Sequence, residues 1–111
     1  MKASSYLKGL YNFYNDKYFN NELPTGTRLY FVPRIGKSKS ARKSNCAVTY
    51  LYADEPPVIV VQRTKVKSMR YIAADLLHEM VHVAKPRAEH GEVFQQEMKR
   101  LANAGAFQDV W

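Results

Sequence analysis

A single cysteine, Cys46, stands among the 111 residues. It excludes an internal disulfide and any zinc ribbon built from cysteines alone. Long hydrophobic runs are missing as well: the most apolar stretch, Val58 to Val61, is short and β-branched, far below the ~18 residues that a bilayer span requires. Met1-Lys2 is not followed by the apolar segment of a secretory signal. Acidic residues are few, 10 against 17 Lys and Arg, for a net charge of +7. Histidine is scarcer still, at three. What is present is a near-average 46% of hydrophobic residues, enough for a real but modest core. The expectation is one soluble, cytoplasmic, monomeric domain over residues 1–111, with no membrane contact and no appended zinc ribbon.

The positive charge is unevenly placed. Arg28, Arg34, Lys37, Lys39, Arg42 and Lys43 follow one another with no acid between them, and Arg63, Lys65, Lys67 and Arg70 form a second acid-free group. Such stretches serve either as solvated loops that aid solubility or as contacts for a polyanion. In the second reading Arg34, Lys37, Lys39, Arg42, Lys43, Arg63, Lys65 and Lys67 are the candidate contacts to single-stranded DNA or another nucleic acid.

Periodicity orders the chain as helix, three strands, helix, helix. Ser4 or Ser5 caps a first helix in which Tyr6, Leu7, Leu10, Tyr11, Tyr14 and Tyr18 recur at helical spacing. Asn20-Asn21, Pro24 and Gly26 end it. Its aromatics read as core anchors. Thr27 to Pro33, Cys46 to Tyr52 and Val58 to Gln62 read as strands, with a polar, basic loop from Gly36 to Asn45. Ser68 is a plausible cap for a helix from Met69 to Lys85, whose Met69, Ile72, Ala73, Leu76, Met80 and Val83 trace one apolar face. Pro86 cannot continue that helix. A third helix runs from about Gly91 to Asn103, with Phe94, Met98 and Leu101 inward and Gly105 as its stop.

Residues 78 to 82 read His-Glu-Met-Val-His. Two histidines at i and i+4 project side by side from a helix, a separation that suits two nitrogen ligands of tetrahedral zinc. Composition alone yields roughly 0.004 chance occurrences of this pattern in such a chain. At about 100° per residue both histidines fall on the side opposite the apolar face, which argues against a core role. Glu79, rotated by one step, is offset from the ligand position yet near enough to take a proton from a zinc-bound water and return it to a leaving amine. A third ligand is needed. His90 is the remaining histidine, beyond the turn that Pro86 forces; Glu89, Glu92 and Glu97 compete with it. The metzincin spacing fails, because Lys85 and Ala88 stand where its Gly and His belong.

With these motifs in place the chain resembles the SprT-like metalloprotease domains, the family of the Spartan DNA–protein crosslink proteases. The likeness runs from about Leu7 to Gly105. It rests on Leu10-Tyr11-Asn12-Phe13-Tyr14-Asn15-Asp16-Lys17-Tyr18-Phe19 through Leu23-Pro24, on Cys46 to Val61 as a strand pair, and on Leu76-Leu77-His78-Glu79-Met80-Val81-His82 followed by His90-Gly91 and Phe94. The resemblance implies an α+β, small zincin-like fold with a mostly antiparallel sheet packed on helices. It also implies one Zn2+ per chain on His78, His82 and His90, with Glu79 as general base. The link between His82 and His90 is short, so a lid carried by longer members is not expected.

The leading expectation is therefore a zinc metallopeptidase acting on a protein or peptide substrate, with DNA-associated proteins as one class. The rival is a catalytically silent, zinc-stabilised nucleic-acid-binding or adaptor domain, for which Glu79 would have no use. Val58 to Gln62 is a candidate edge for holding an extended substrate. Tyr50, Tyr52, Tyr71 and Arg87 are candidates for stabilising the oxyanion. Asp75 reads as a solvated helix residue rather than a partner of the site.

Overall fold

The computed structural model describes residues 3–32, 47–62, 69–86 and 91–107, with the backbone alone for Met69 and Arg70. The chain is α+β, with three helices and a three-stranded mixed sheet in the order α1 (Ser5–Tyr18), β1 (Arg28–Val32), β2 (Ala47–Tyr50), β3 (Val58–Gln62), α2 (Met69–Ala84) and α3 (Glu92–Asn103).

Ser4 is the residue that caps α1: its Oγ accepts a hydrogen bond from the Leu7 N–H at 3.1 Å. Its own N–H donates to the Leu29 carbonyl at 2.7 Å, tying the helix start to β1. The other end turns through Asn20 and Asn21 at φ 52° and 57°. This is the left-handed region, in which asparagine is among the few tolerated side chains. Asn15 then locks the turn from inside the core. Its amide nitrogen donates to the Leu23 carbonyl and its amide oxygen accepts from the Leu23 N–H, each at 3.1 Å. Tyr11 and Tyr14 are buried as expected, whereas Tyr6 and Phe13 remain exposed. The Tyr11 hydroxyl donates to the Pro24 carbonyl at 2.7 Å.

The strand order is β1-β3-β2. β1 runs parallel to β3 and β2 antiparallel to it. Val58 to Val61, the most apolar run in the chain, thus occupies the central strand, where Ile59 and Val61 are fully buried and Val58 and Val60 on the other face half-buried. This corrects the expectation that Val58 to Gln62 offers a free edge for substrate: its hydrogen-bonding sides are occupied by β1 and β2. The register places Leu29, Ile59 and Thr49 in one row and Phe31, Val61 and Ala47 in the next, on the same face of the sheet.

α2 packs on β2 and β3 and also contacts α1 and α3. It is therefore buried more widely than its predicted apolar face. Leu77 and Val81, which lie outside that face by helical phase, are both fully buried along with Leu76 and Met80. α3 begins at Gly91, which caps it with no side-chain bond. It ends through Gly105 at φ 90°, where the Ala106 N–H reaches back to the Leu101 carbonyl at 2.9 Å. Phe94 and Leu101 are its buried anchors. No helix among the described residues is long and apolar enough to cross a membrane.

Candidate metal centre

The centre is built on α2, the helix held on several sides. The i, i+4 spacing brings the His78 and His82 rings to 5.0 Å between centroids, at 70° to each other. Both side chains are half-buried. Phe94 of α3 fits against the two of them, at 4.9 Å from the His78 ring and 4.8 Å from the His82 ring, and is itself 2% exposed. Phe94 was expected only to pin α3 to the core. Its position also limits ring rotation at the two histidines, which favours one shared geometry over many.

Glu79 is 6% exposed. Its Oε1 accepts a hydrogen bond from the Thr49 hydroxyl of β2 at 2.8 Å. Its Oε2 lies toward His78, 4.0 Å from Nε2. Burial, opposed by the Thr49 hydrogen bond and aided by the negative charge of Asp75, pushes its carboxyl up to about 7 from an ordinary 4.5. Asp75 is accordingly not the solvated residue expected: it is half-buried, and its charge is felt at Glu79.

One donor atom from each of His78, Glu79 and His82 lies within 4.8 Å of the others, so this group could hold a metal ion. The donor set fits zinc: two imidazoles and an oxygen are its ordinary ligands, and donors on one tetrahedral zinc lie ~3.4 Å apart. His78 Nε2 and Glu79 Oε2 lie 4.0 Å apart.

Two of the three competing acidic ligands, Glu92 and Glu97, have partners within α3. Glu97 pairs with Arg100, whose Nε donates to Glu97 Oε1 at 2.9 Å. Glu92 accepts from Gln96 at 3.3 Å on the exposed side of α3. His90, Glu89 and Arg87 lie outside the described residues, as do Ser68, Cys46 and the nucleic-acid candidates Arg34, Lys37, Lys39, Arg42, Lys43, Arg63, Lys65 and Lys67. Of the oxyanion candidates, Tyr50 follows Thr49 on β2 and so faces away from Glu79, since neighbours on a strand alternate faces. Tyr71 is exposed, and it lies two helical turns before His78 with its side chain tilted further toward the helix start. Neither is a good electrophile for this site.

Thr49 is the site residue that sequence reading missed. It is a hydroxyl on a strand, 30 residues from its partner, and no local spacing connects the two. No protein-family model matches the chain, and no curated protein matches it in sequence.

Proposed function

We propose that the chain is a zinc-dependent metallopeptidase of the SprT-like kind. The observation that carries this reading is the arrangement at α2: two histidines side by side and, against them, a buried carboxyl held by Thr49, with Oε2 4.0 Å from His78 Nε2. A purely structural metal site has no use for such a carboxyl. A general base, by contrast, must lie within reach of the water held by the metal, and Glu79 lies beside the histidines that would hold it.

His78 and His82 would hold the ion, with His90 as third ligand. In support of His90, it immediately precedes Gly91 in sequence, and the first turn of α3 carries Phe94 against both histidine rings. Zinc, when bound, supplies a Lewis acid for the scissile carbonyl and favours ionisation of water near neutral pH. Glu79 accepts the proton of the attacking water and delivers it to the leaving amine nitrogen. Phe94 keeps the histidine rings in place and excludes water behind them. β2, with no strand beyond it among the described residues, is the edge along which an extended peptide would pair, in place of β3.

The basic stretches extend the reading to partners. Ten of the 17 positive residues fall between Arg28 and Lys43 or between Arg63 and Arg70. They would bring DNA-associated proteins to the metal centre through phosphate contacts, and binding to single-stranded DNA would then fall with salt at a log–log slope near −0.7 per contact.

Metal analysis paired with hydrolysis of an unfolded protein tests the reading. One zinc per chain is expected, lost in His78→Ala and His82→Ala, with cleavage abolished by a chelator and restored by zinc. Stoichiometric zinc without cleavage of any substrate would favour the adaptor alternative. His90→Ala binding zinc at wild-type affinity would place the third ligand elsewhere.

A further inference from the structure

Glu79 has two carboxylate oxygens and three rotatable bonds, yet a general base must present one oxygen in one place. Thr49 meets that requirement from a different element. Its hydroxyl donates to Oε1 at 2.8 Å, and the Thr49 Oγ1 also lies 3.4 Å from the Glu79 carbonyl oxygen. The hydroxyl has one proton, and the shorter contact takes it. Oε1 is therefore occupied from the sheet side, while Oε2 is the oxygen on the histidine side, 4.0 Å from His78 Nε2.

We propose that Thr49 is the positioning residue of this site, holding Oε1 so that Oε2 is the atom that exchanges the proton. The assignment rests on the peptidase reading above. In the step it describes, the water O–H bond breaks as its oxygen bonds to the scissile carbon, and the proton goes to Oε2. That proton then passes to the amine nitrogen as the C–N bond breaks, and Glu79 returns to its ionised form. A donor fixed on Oε1 disfavours protonation there, so the proton stays on the oxygen that faces the substrate.

The support for Thr49 is rigid. Its backbone lies in the antiparallel ladder with β3, opposite Ile59, in the row that also holds Leu29. Threonine is stiff at χ1, so the backbone position largely fixes the hydroxyl. A positioning group on a paired strand is held more closely than one on a loop. A merely structural reading would make the bond a tie between β2 and α2. The two roles part on substitution: valine keeps the shape and loses the donor, and serine keeps the donor.

The test uses the zinc-loaded full chain and fluorescently labelled, unfolded casein, with zinc affinity and melting temperature measured alongside. Thr49→Val is expected to lower kcat about tenfold to a hundredfold while KM and zinc affinity stay within about twofold. Thr49→Ser is expected to restore kcat to within about threefold of wild type. Wild-type kcat in Thr49→Val, or a Thr49→Ser no better than Thr49→Val, would overturn the assignment while leaving the peptidase reading intact. Casein left uncut by the zinc-loaded wild type would remove the peptidase reading and this assignment with it.

Discussion

Asn15 and Glu79 are both buried polar side chains on helices, at 2% and 6% exposure, and their surroundings treat them in opposite ways. Asn15 is neutral, and both halves of its amide are matched by the backbone of Leu23. Glu79 is ionisable and receives the Thr49 hydroxyl, but burial and the charge of Asp75 still push its carboxyl up to about 7. The first is architecture: a matched pair that closes the turn between α1 and β1. The second is a group kept in an environment that disfavours its charged form, which lowers stability unless something else is gained. Burial alone does not mark function. Burial of an ionisable carboxyl beside two histidines that could hold a metal marks a candidate site.

Mutation sharpens the contrast. Asn15→Ala leaves the Leu23 N–H and carbonyl buried without their partner and opens a small cavity. A loss of about 3–5 kcal/mol in folding stability is expected from urea melts. An Asn15 variant with wild-type stability would break the comparison from the architectural side.

The pH dependence of the metal-free protein comes next in size. A carboxyl whose folded pKa lies above its unfolded value holds its proton more firmly when folded. Folding stability therefore falls as pH rises from 4.5 to about 7. Above that range the deficit is constant, at most about 3 kcal/mol. Glu79→Gln removes this component, so the variant should match wild type near pH 4 and exceed it at pH 8. Urea melts in chelator across that range would show it, and parallel curves for the two proteins would refute it.

The smallest expected effect belongs to Phe94. Phe94→Leu keeps most of the buried volume but loses the ring that lies against both histidines. Stability should fall by about 1 kcal/mol and zinc affinity about tenfold, the scale seen when the supports of metal ligands are removed. Unchanged zinc affinity, read by competition with a chromogenic chelator, would reduce Phe94 to packing.

Much of this was legible in the sequence, for reasons that differ by element. His78, Glu79 and His82 could be read because helical spacing alone sets their geometry. The bounds of α1, α2 and α3 followed from periodicity and from signals such as Ser4, Pro86 and Gly105. Strand order was not legible, because β1 pairs with β3 across 25 intervening residues and no local pattern encodes that choice. The unbroken apolar run Val58 to Val61 was the available sign of a central strand. Leu77 and Val81 were missed on the core face for a related reason: α2 meets α1 and α3 as well as the sheet, and a single apolar face assumes one neighbour. The turn at Asn20-Asn21 was predicted, but the Asn15 lock beneath it and the Thr49 bond to Glu79 are tertiary pairings.

The central claim is that Glu79 acts on a proton at a zinc site held by His78 and His82. The most direct measurement compares zinc-loaded wild type with zinc-loaded Glu79→Gln in cleavage of an unfolded protein at neutral pH. Zinc content and melting temperature are recorded on the same samples. The amide keeps the shape and cannot accept the proton, so zinc should stay at one per chain while the rate falls about 10² to 10⁴-fold. Cleavage by the zinc-loaded Glu79→Gln variant at the wild-type rate would contradict the account.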